Sequence, residues 1–136
     1  MTEAALYVDG ASFGNPGPSG IGFVLAIGDE VVEGSEDIGW GTNNQAEYRA
    51  LIRGLREALD HSVDTLHVRG DSQLIVKQVT GEYKVKQPEL RKLLIEARSL
   101  VEKFKSVRFE HVLRGFNERA DALAKAGAEQ AKSRLT

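Results

Sequence analysis

Four acidic side chains differ from the others because they lie at the ends of predicted elements and not on polar surfaces. Asp9 ends an apolar run directly before Gly10, and Asp71 ends a later apolar run in the same way. Glu47 lies on the apolar face of a predicted helix, and Asp121 falls in the first turn of the last predicted helix. A buried carboxylate without a partner is costly, so Glu47 indicates a site and not ordinary surface charge.

Carboxylates that meet at one site repel each other and need cations to stay ionised. Oxygen ligands without histidine or cysteine suit Mg²⁺ or Mn²⁺ better than zinc. A pair of divalent ions about 3.5–4 Å apart is the arrangement that hydrolyses phosphodiesters, and it would balance four carboxylates. Simpler roles stay open for two of the residues, because Asp71 could cap the following helix and Asp121 could simply favour a helix N-terminus.

The elements that must position these side chains follow the order βββ-α-β-α-α-β-α. Strands are predicted at 6–9, at 21–27, from 31 onward, at 65–70 and near 107–112, with a tight hairpin at Gly28-Asp29. A capping box of Thr42 and Gln45 begins the first helix. The later helices are predicted at 72–80, at 88–104 and from a cap at Asn117 to about 133.

This order predicts an α/β fold with a five-stranded mixed sheet flanked by helices. Three hairpin-linked strands are antiparallel, and two further strands are parallel. Sites in such sheets form beyond the carboxyl ends of strands, so Asp9 and Asp71 meet if their strands are parallel neighbours. We expect residues 1–136 to form a single domain, with the last few residues frayed.

Composition excludes several classes of function. The chain has 136 residues and no cysteine, which excludes disulfides, thiolate zinc sites and cysteine nucleophiles, and predicts a cytoplasmic location. Without a long apolar run or a signal peptide, we expect no membrane association. A net charge of −2 argues against binding nucleic acid by bulk charge alone. A small-molecule nucleotide enzyme is disfavoured, since no phosphate-binding glycine loop opens a helix.

Four motifs, in order, resemble those of type 1 ribonuclease H and span nearly the whole chain. They are Asp9-Gly10-Ala11-Ser12 with Gly14-Asn15-Pro16-Gly17-Pro18, Thr42-Asn43-Asn44-Gln45-Ala46-Glu47, Asp71-Ser72-Gln73, and Asn117-Glu118-Arg119-Ala120-Asp121-Ala122-Leu123-Ala124. The resemblance implies the ribonuclease H-like fold and cleavage of the RNA strand of RNA–DNA hybrids, leaving 5′-phosphate and 3′-hydroxyl ends. It also implies that Asp9, Glu47, Asp71 and Asp121 form the catalytic set. This set binds two Mg²⁺ ions, or Mn²⁺ as a substitute, and Gly10 lies beside the metals.

The resemblance also implies residues that bind the hybrid. They are Asn15, Thr42, Asn43, Asn44, Ser72 and Gln73, with Lys84 and Lys86 in a basic patch beside the DNA strand. Amide side chains donate and accept hydrogen bonds, which suits reading of the 2′-hydroxyl that distinguishes RNA from DNA. For the asparagines, turn and cap chemistry remains an alternative. For the lysines, the alternative is an ordinary solvated surface.

Two departures bring the chain closer to a short subgroup found in archaea and some bacteria. Better-known members carry a histidine in a longer loop before the last motif, whereas this loop is only Arg114-Gly115-Phe116. Arg114 occupies about the vacant place and is assigned to the catalytic set, but a guanidinium is not deprotonated in proteins, which excludes a general base. The second departure is the missing basic protrusion, since residues 81–88 contain only Tyr83, Lys84 and Lys86 as candidate contacts.

Two alternatives to a ribonuclease H stay open at this point. One is a catalytically weak module that binds hybrids or double-stranded RNA, and loss of any of the four carboxylates would favour it. The other is a different nuclease on the same fold, since fold and carboxylates alone do not separate the two. In each case the expected partner is nucleic acid, with no obligate protein partner, and the chain is expected to be a monomer.

Overall fold

The computed structural model describes residues 2–136 as an open sheet with helices on both faces. The elements are β1 (Glu3–Ser12), β2 (Gly17–Ile27), β3 (Glu30–Gly41), α1 (Asn43–Asp60), β4 (Thr65–Gly70), α2 (Gln73–Val79), α3 (Pro88–Val101), β5 (Ser106–His111) and α4 (Glu118–Leu135). A single 3-10 turn, Arg114–Phe116, joins β5 to α4. Within residues 2–136, no helix is both long enough and apolar enough to cross a bilayer.

The strand order β3-β2-β1-β4-β5 confirms the predicted mixed sheet. β1, β2 and β3 pair antiparallel, and β4 and β5 extend the sheet in parallel from β1. The β1–β4 register pairs Val8 with Gly70, so the next residues on the two strands are Asp9 and Asp71. The sheet therefore brings these two carboxylates to one edge, as expected for parallel neighbours.

The main core lies between the sheet and α1. Leu6 and Val8 point to this face, where they meet Leu51 and Leu55 of α1 in one buried cluster. α3 packs on α1, and its apolar stripe completes the layer with Leu90, Leu94, Ala97 and Leu100. Leu93 and Val101 of α3 pack against this core and are only partly buried.

The opposite face of β1, β2 and β3 is covered by α4 at unusually short range. A side chain at Gly22 would lie 2.4 Å from the carbonyl oxygen of Ala120, and one at Gly20 would lie 2.1 Å from the amide of Ala128. Only glycines on the strand and small residues on the helix allow this approach. The alanine-rich sequence of α4 is thus a packing requirement, and it holds the first turn of the helix close to the sheet.

Local capping signals explain where α1 and α2 begin, but not where α4 begins. The capping box of Thr42 and Gln45 is present as predicted. α2 is capped by Ser72, whose Oγ accepts from the amide of Ile75 at 3.3 Å, so the simpler role of Asp71 as an N-cap is wrong. Asn117 occupies the N-cap position of α4, but its side chain makes no cap hydrogen bond in the described chain, and that prediction is wrong.

The last helix extends slightly further than predicted. α4 continues to Leu135, past the predicted end near residue 133. Arg134 forms a bidentate ion pair with Asp37 of β3. Nε of Arg134 lies 2.7 Å from one carboxylate oxygen of Asp37, and Nη2 lies 3.0 Å from the other. This contact joins the last turn of the helix to the edge strand of the sheet, a pairing that no local pattern reveals.

Candidate active site

Three of the predicted carboxylates meet at the carboxyl edge of the sheet. Asp9 comes from β1, Asp71 follows β4, and Glu47 lies in the second turn of α1. One oxygen from each lies within 4.8 Å of the others. Asp9 is buried, while Glu47 and Asp71 are partly buried, so the cluster opens to solvent on one side. The structure thus unites groups that are 38 and 24 positions apart in sequence.

Asp121 adjoins this group from the other face of the sheet. It lies in the first turn of α4, and its carboxyl group shares a hydrogen bond with Asp9. Its Oδ2 also lies 3.0 Å from Nζ of Lys125, one helical turn away. The fourth predicted carboxylate is therefore next to the cluster, but it is partly neutralised by a lysine that sequence reasoning did not consider. The i,i+4 spacing is the signal that could have revealed it.

Gly10 allows β1 to touch the start of α1. A side chain there would lie 2.4 Å from the carbonyl carbon of Ala46, so no other residue fits without moving the helix. The amide of Gly10 donates to Oε1 of Glu47 and to Oδ1 of Asp9, both at 3.0 Å. This residue therefore orients two of the carboxylates, whereas its predicted place beside the metals stays a prediction.

The electrostatics of the cluster favour a bound cation. Burial is the main cause that raises the pKa of Asp9 to about 10, and the adjacent Glu47 raises it further. Burial likewise raises the pKa of Glu47 to about 7, against the lowering effect of hydrogen bonds from Asp9 and the Gly10 amide. Oδ2 of Asp71 is buried without a hydrogen-bond partner among the described residues. Crowded carboxylates with an unused oxygen fit a hard divalent ion such as Mg²⁺.

Arg114 lies beside the cluster, as predicted for the residue in the shortened loop. Its Nε is 3.6 Å from Oδ2 of Asp71, a distance that gives an ion pair without a hydrogen bond. The side chain is 78% exposed, so the guanidinium is free to turn toward an incoming anion. The positive charge also acts to lower the pKa values of Glu47 and Asp121.

The polar residues around the start of α1 form a second group. Oγ1 of Thr42 accepts from the amide of Gln45 at 3.1 Å, which leaves its hydroxyl hydrogen available for a phosphate. Oδ1 of Asn15 accepts from the amide of Asn43 at 3.0 Å and so ties the β1–β2 loop to the helix start. The side-chain oxygen of Asn15 therefore does make a cap contact, but its amide hydrogens remain available for other hydrogen bonds. Asn44, the next residue, is partly buried in the first turn.

The remaining predicted contacts lie along α2 and the segment after it. Ser72 caps α2 and Gln73 is exposed at its first position. Lys84 and Lys86 are exposed and line a groove of about 480 Å³ between the segment 81–86 and α3. Tyr83, Arg91 and Arg98 line the same groove, and Nζ of Lys77 lies 4.9 Å from the centre of the Tyr83 ring. The structure thus gathers the predicted basic patch into a concave surface.

Sequence reasoning missed the role of Asn117. Its Nδ2 donates to the carbonyl of Val8 at 2.9 Å, across 109 positions of sequence, and the residue is almost fully buried. Val8 directly precedes Asp9, so this bond ties the start of α4 to the strand that carries the central carboxylate. The motif containing Asn117 was recognised, but a polar residue before a helix is more often a cap, and nothing local distinguishes the two roles.

The fold and the acidic cluster define an α/β protein of the ribonuclease H-like class. A crystal structure of ribonuclease H1 from Halobacterium salinarum superposes with a TM-score of 0.91 at 48% identity, covering 95% of this chain and 99% of that one. The N-terminal ribonuclease H domain of a Mycobacterium tuberculosis protein gives 0.96 at 38% identity, with all of both chains covered. LC11 ribonuclease H1 from compost, solved with an RNA/DNA hybrid, gives 0.86 at 38% identity over 94% and 98%.

Sequence comparisons agree with this class. A family model described as reverse transcriptase-like matches residues 7–127. Ribonuclease HI of Halobacterium salinarum is 50% identical over 127 residues, which are 92% of this chain and 64% of that protein. A bifunctional protein of Mycobacterium tuberculosis is 42% identical over 125 residues, which are 90% of this chain and 34% of that protein. The chain thus spans about two thirds and one third of these relatives. It belongs to the type 1 ribonuclease H family.

Proposed function

We propose that this chain is an endoribonuclease that hydrolyses the RNA strand of RNA–DNA hybrids and leaves 5′-phosphate and 3′-hydroxyl ends. The observation that carries the proposal is the cluster of Asp9, Glu47 and Asp71, with Asp121 hydrogen-bonded to Asp9. Family membership and the hybrid bound to a relative of 38% identity support the same substrate. We treat residues 1–136 as one ribonuclease H domain.

The four carboxylates are the residues that would hold two Mg²⁺ ions, with Mn²⁺ as a substitute. When bound, these ions would supply activation of the attacking water and stabilisation of the leaving oxygen. The chain supplies the rest: the Gly10 amide orients Glu47 and Asp9, and Asn117 fixes the strand next to Asp9. The exposed guanidinium of Arg114 stabilises negative charge at the phosphate but, being always protonated, does not remove a proton.

Recognition of the hybrid is assigned to the amide group around α1. Asn15, Asn43, Asn44 and Gln73 contact the minor groove, where a side chain that both donates and accepts can read a 2′-hydroxyl. Thr42 and Ser72 contact phosphates, since each already caps a helix and keeps a hydroxyl donor. Lys84 and Lys86 bind the DNA strand in the basic groove. The proposal includes a monomeric chain and a cytoplasmic location.

The test is cleavage of end-labelled duplexes by the whole chain. RNA–DNA hybrid, RNA–RNA, DNA–DNA and a duplex with a single ribonucleotide are compared with Mg²⁺, with Mn²⁺ and with chelator. We expect cleavage of the RNA strand of the hybrid only with a divalent ion. The product ends are identified by phosphatase treatment and by primer extension from the new 3′-hydroxyl.

Two variants distinguish the proposal from its alternatives. Asp71→Asn should lose essentially all cleavage while remaining cooperatively folded in a thermal unfolding scan, because only a metal ligand is changed. Asp29→Asn, an exposed residue in the β2–β3 hairpin, is the matched control and should retain full activity. Tight hybrid binding without cleavage by the wild type would instead favour a binding module. Cleavage of DNA–DNA duplexes would favour another nuclease on this fold.

A further inference from the structure

A buried pair of polar side chains joins α1 to α2 close to the carboxylate cluster. The hydroxyl of Tyr48 donates to Oε1 of Gln78 at 2.6 Å. Tyr48 is fully buried and Gln78 is only 7% exposed, so water does not compete for this bond. Burial also raises the pKa of Tyr48 to about 12, which keeps the hydroxyl protonated as a donor. A buried hydrogen bond is directional and costly to break, so it fixes the two helices relative to each other.

Both partners lie close in sequence to residues of the proposed site. Tyr48 directly follows Glu47 in α1, and α2 begins two residues after Asp71. α2 has seven residues, of which three are buried, and Gln78 is the polar one of these three. Apolar burial is non-directional and does not by itself fix how a short helix is turned. The orientation of α2 therefore depends on the side chain of Gln78.

The main chain of Gln78 holds the segment that follows α2. Its carbonyl oxygen accepts from the amide of Gly81 at 3.2 Å and from Nη2 of Arg98 in α3 at 3.1 Å. Gly81 has a φ of 91°, a left-handed conformation that favours glycine, and it turns the chain into residues 81–86. This basic segment carries the two lysines assigned to the DNA strand. One residue thus connects α1, α3 and the basic segment.

We propose that Gln78 is a positioning residue whose contacts hold the basic segment at the distance from the carboxylate cluster that one hybrid requires. The inference rests on the proposed function, which places the RNA strand at the cluster and the DNA strand at the basic segment. Base pairing keeps the two strands of a hybrid at a fixed separation, so a protein that binds both needs contacts at a matching separation. A misplacement of about 1 Å is enough to weaken contacts with a rigid ligand.

The experiment uses variants that remove the link between α1 and α2 without changing any charge. Tyr48→Phe and Gln78→Leu each remove one partner, and the double variant removes both, so that neither is left buried and unpaired. Val63→Ala, a buried residue just before β4 and away from the basic segment, is the matched control for lost stability. If the double variant does not fold, Tyr48→Phe carries the same test with the loss of a single hydroxyl group.

Steady-state kcat and KM for the hybrid are measured with Mg²⁺ at several salt concentrations and at a temperature where each protein is folded. We expect the double variant to raise KM about threefold or more, a typical coupling between residues in contact, with kcat nearly unchanged. The slope of log KM against log salt should fall toward that of a variant with Lys84 and Lys86 replaced by alanine. The reason is that phosphate contacts are lost although both lysines remain.

Two further comparisons separate positioning from stability. Adding the two lysine changes to the double variant should affect KM less than adding them to the wild type, because the lysines are already out of place. Val63→Ala should lower the unfolding temperature and leave KM and its slope against salt unchanged.

Three results would overturn the inference. The first is a double variant with the wild-type KM and slope. The second is an equal effect of the lysine changes in the double variant and in the wild type, because Gln78 would then not act through the basic segment. The third is a slope that falls as much in Val63→Ala, because lost stability would then explain the change. If the wild type cleaves the hybrid in any of these cases, the proposed function stands. A wild type that cleaves no hybrid removes both.

Discussion

Asp9 is buried at the end of β1, where its carboxyl group hydrogen-bonds with both Glu47 and Asp121. Asp71 adds a fourth carboxylate from the neighbouring strand and has an oxygen without a hydrogen-bond partner in the described chain. Placing these groups together costs free energy in the absence of a cation. At the residue scale the site is therefore built to be completed by metal, and its behaviour with pH should reveal this.

The first prediction concerns the stability of the metal-free protein. The pKa of Asp9 is raised from 3.8 to about 10, so the folded state binds more protons than the unfolded state between these values. The contribution of Asp9 to stability is therefore full below its unfolded pKa and is lost as pH rises toward 10. With chelator present, the free energy of unfolding of the wild type should fall as pH rises over this range. That of Asp9→Asn should fall less. Urea titrations at several pH values measure it.

Added Mg²⁺ provides the matching observation. It should raise the unfolding temperature of the wild type more at pH 9 than at pH 5, since protons compete with the cation for the same oxygens. Asp9→Asn should show little response at either pH. Equal metal stabilisation of the wild type at both pH values would contradict the assignment of Asp9 as a ligand.

The second prediction at this scale concerns Arg114. Replacement by alanine should lower kcat by at least about tenfold, because a positive charge next to the reacting phosphate is lost. Replacement by lysine should recover part of the rate, since charge is kept without the planar group. The measurement is steady-state cleavage of the hybrid, which gives kcat and KM for each variant. Arg91→Ala, a change of equal charge in the basic groove, should act mainly on KM, and equal effects of both variants on kcat would contradict the prediction.

At the scale of elements, the site depends on how α4 approaches the sheet. Glycines on β2 let the helix backbone come close, and the buried hydrogen bond from Asn117 to Val8 fixes its first turn. That turn carries Asp121, and the preceding turn carries Arg114. The position of two functional side chains is therefore set by one interface between a helix and a strand.

The third prediction is that Asn117→Ala weakens both the fold and the reaction. Loss of the buried bond should lower the free energy of unfolding by about 1–3 kcal/mol. The rate should also fall at a temperature where the protein is fully folded, because Asp121 is no longer held against Asp9. Gln130→Ala, on the exposed side of the same helix, should change neither quantity. Unchanged kcat in folded Asn117→Ala would limit the residue to a structural role.

At the scale of the whole molecule, a net charge of −2 hides a strongly uneven surface. Four of the acidic residues lie at the site, where bound cations would reverse the local sign. Lysines and arginines collect in the groove between the segment 81–86 and α3. Bulk charge therefore says little about affinity for a polyanion, and the local distribution decides it.

The fourth prediction follows from this distribution. Hybrid binding should weaken with salt, because each phosphate contact releases counterions. Replacing Lys84 and Lys86 together by alanine should reduce the slope of log Kd against log salt by about 2, if each contacts one phosphate. Lys103 and Lys105, exposed beyond the end of α3, form the matched control pair and should leave the slope unchanged. If the Lys84 and Lys86 variant has the same slope as the wild type, the two lysines are ordinary surface charges that do not contact the hybrid.

Much of the site was predictable because its signals are local. A capping box, an apolar run that ends in aspartate and a carboxylate on an apolar helix face each lie within a few residues, and the structure agrees with them. The order of strands and helices also restricts the sheet to few topologies. The amino-acid sequence by itself therefore determined the mixed sheet and the meeting of Asp9 with Asp71.

Only the tertiary structure decided which partners the polar side chains choose. Asn117 donates to the carbonyl of Val8 and does not cap its own helix. Lys125 forms an ion pair with Asp121, the same carboxylate that contacts Asp9. Arg134 binds Asp37, which is 97 positions away in sequence. The tertiary structure also decided that α4 stops short of β4 and β5, which leaves one face of these two strands open. Hydrogen-bond partners and open faces depend on how distant elements pack, and local patterns carry no information about them because their range is about one helical turn or one hairpin.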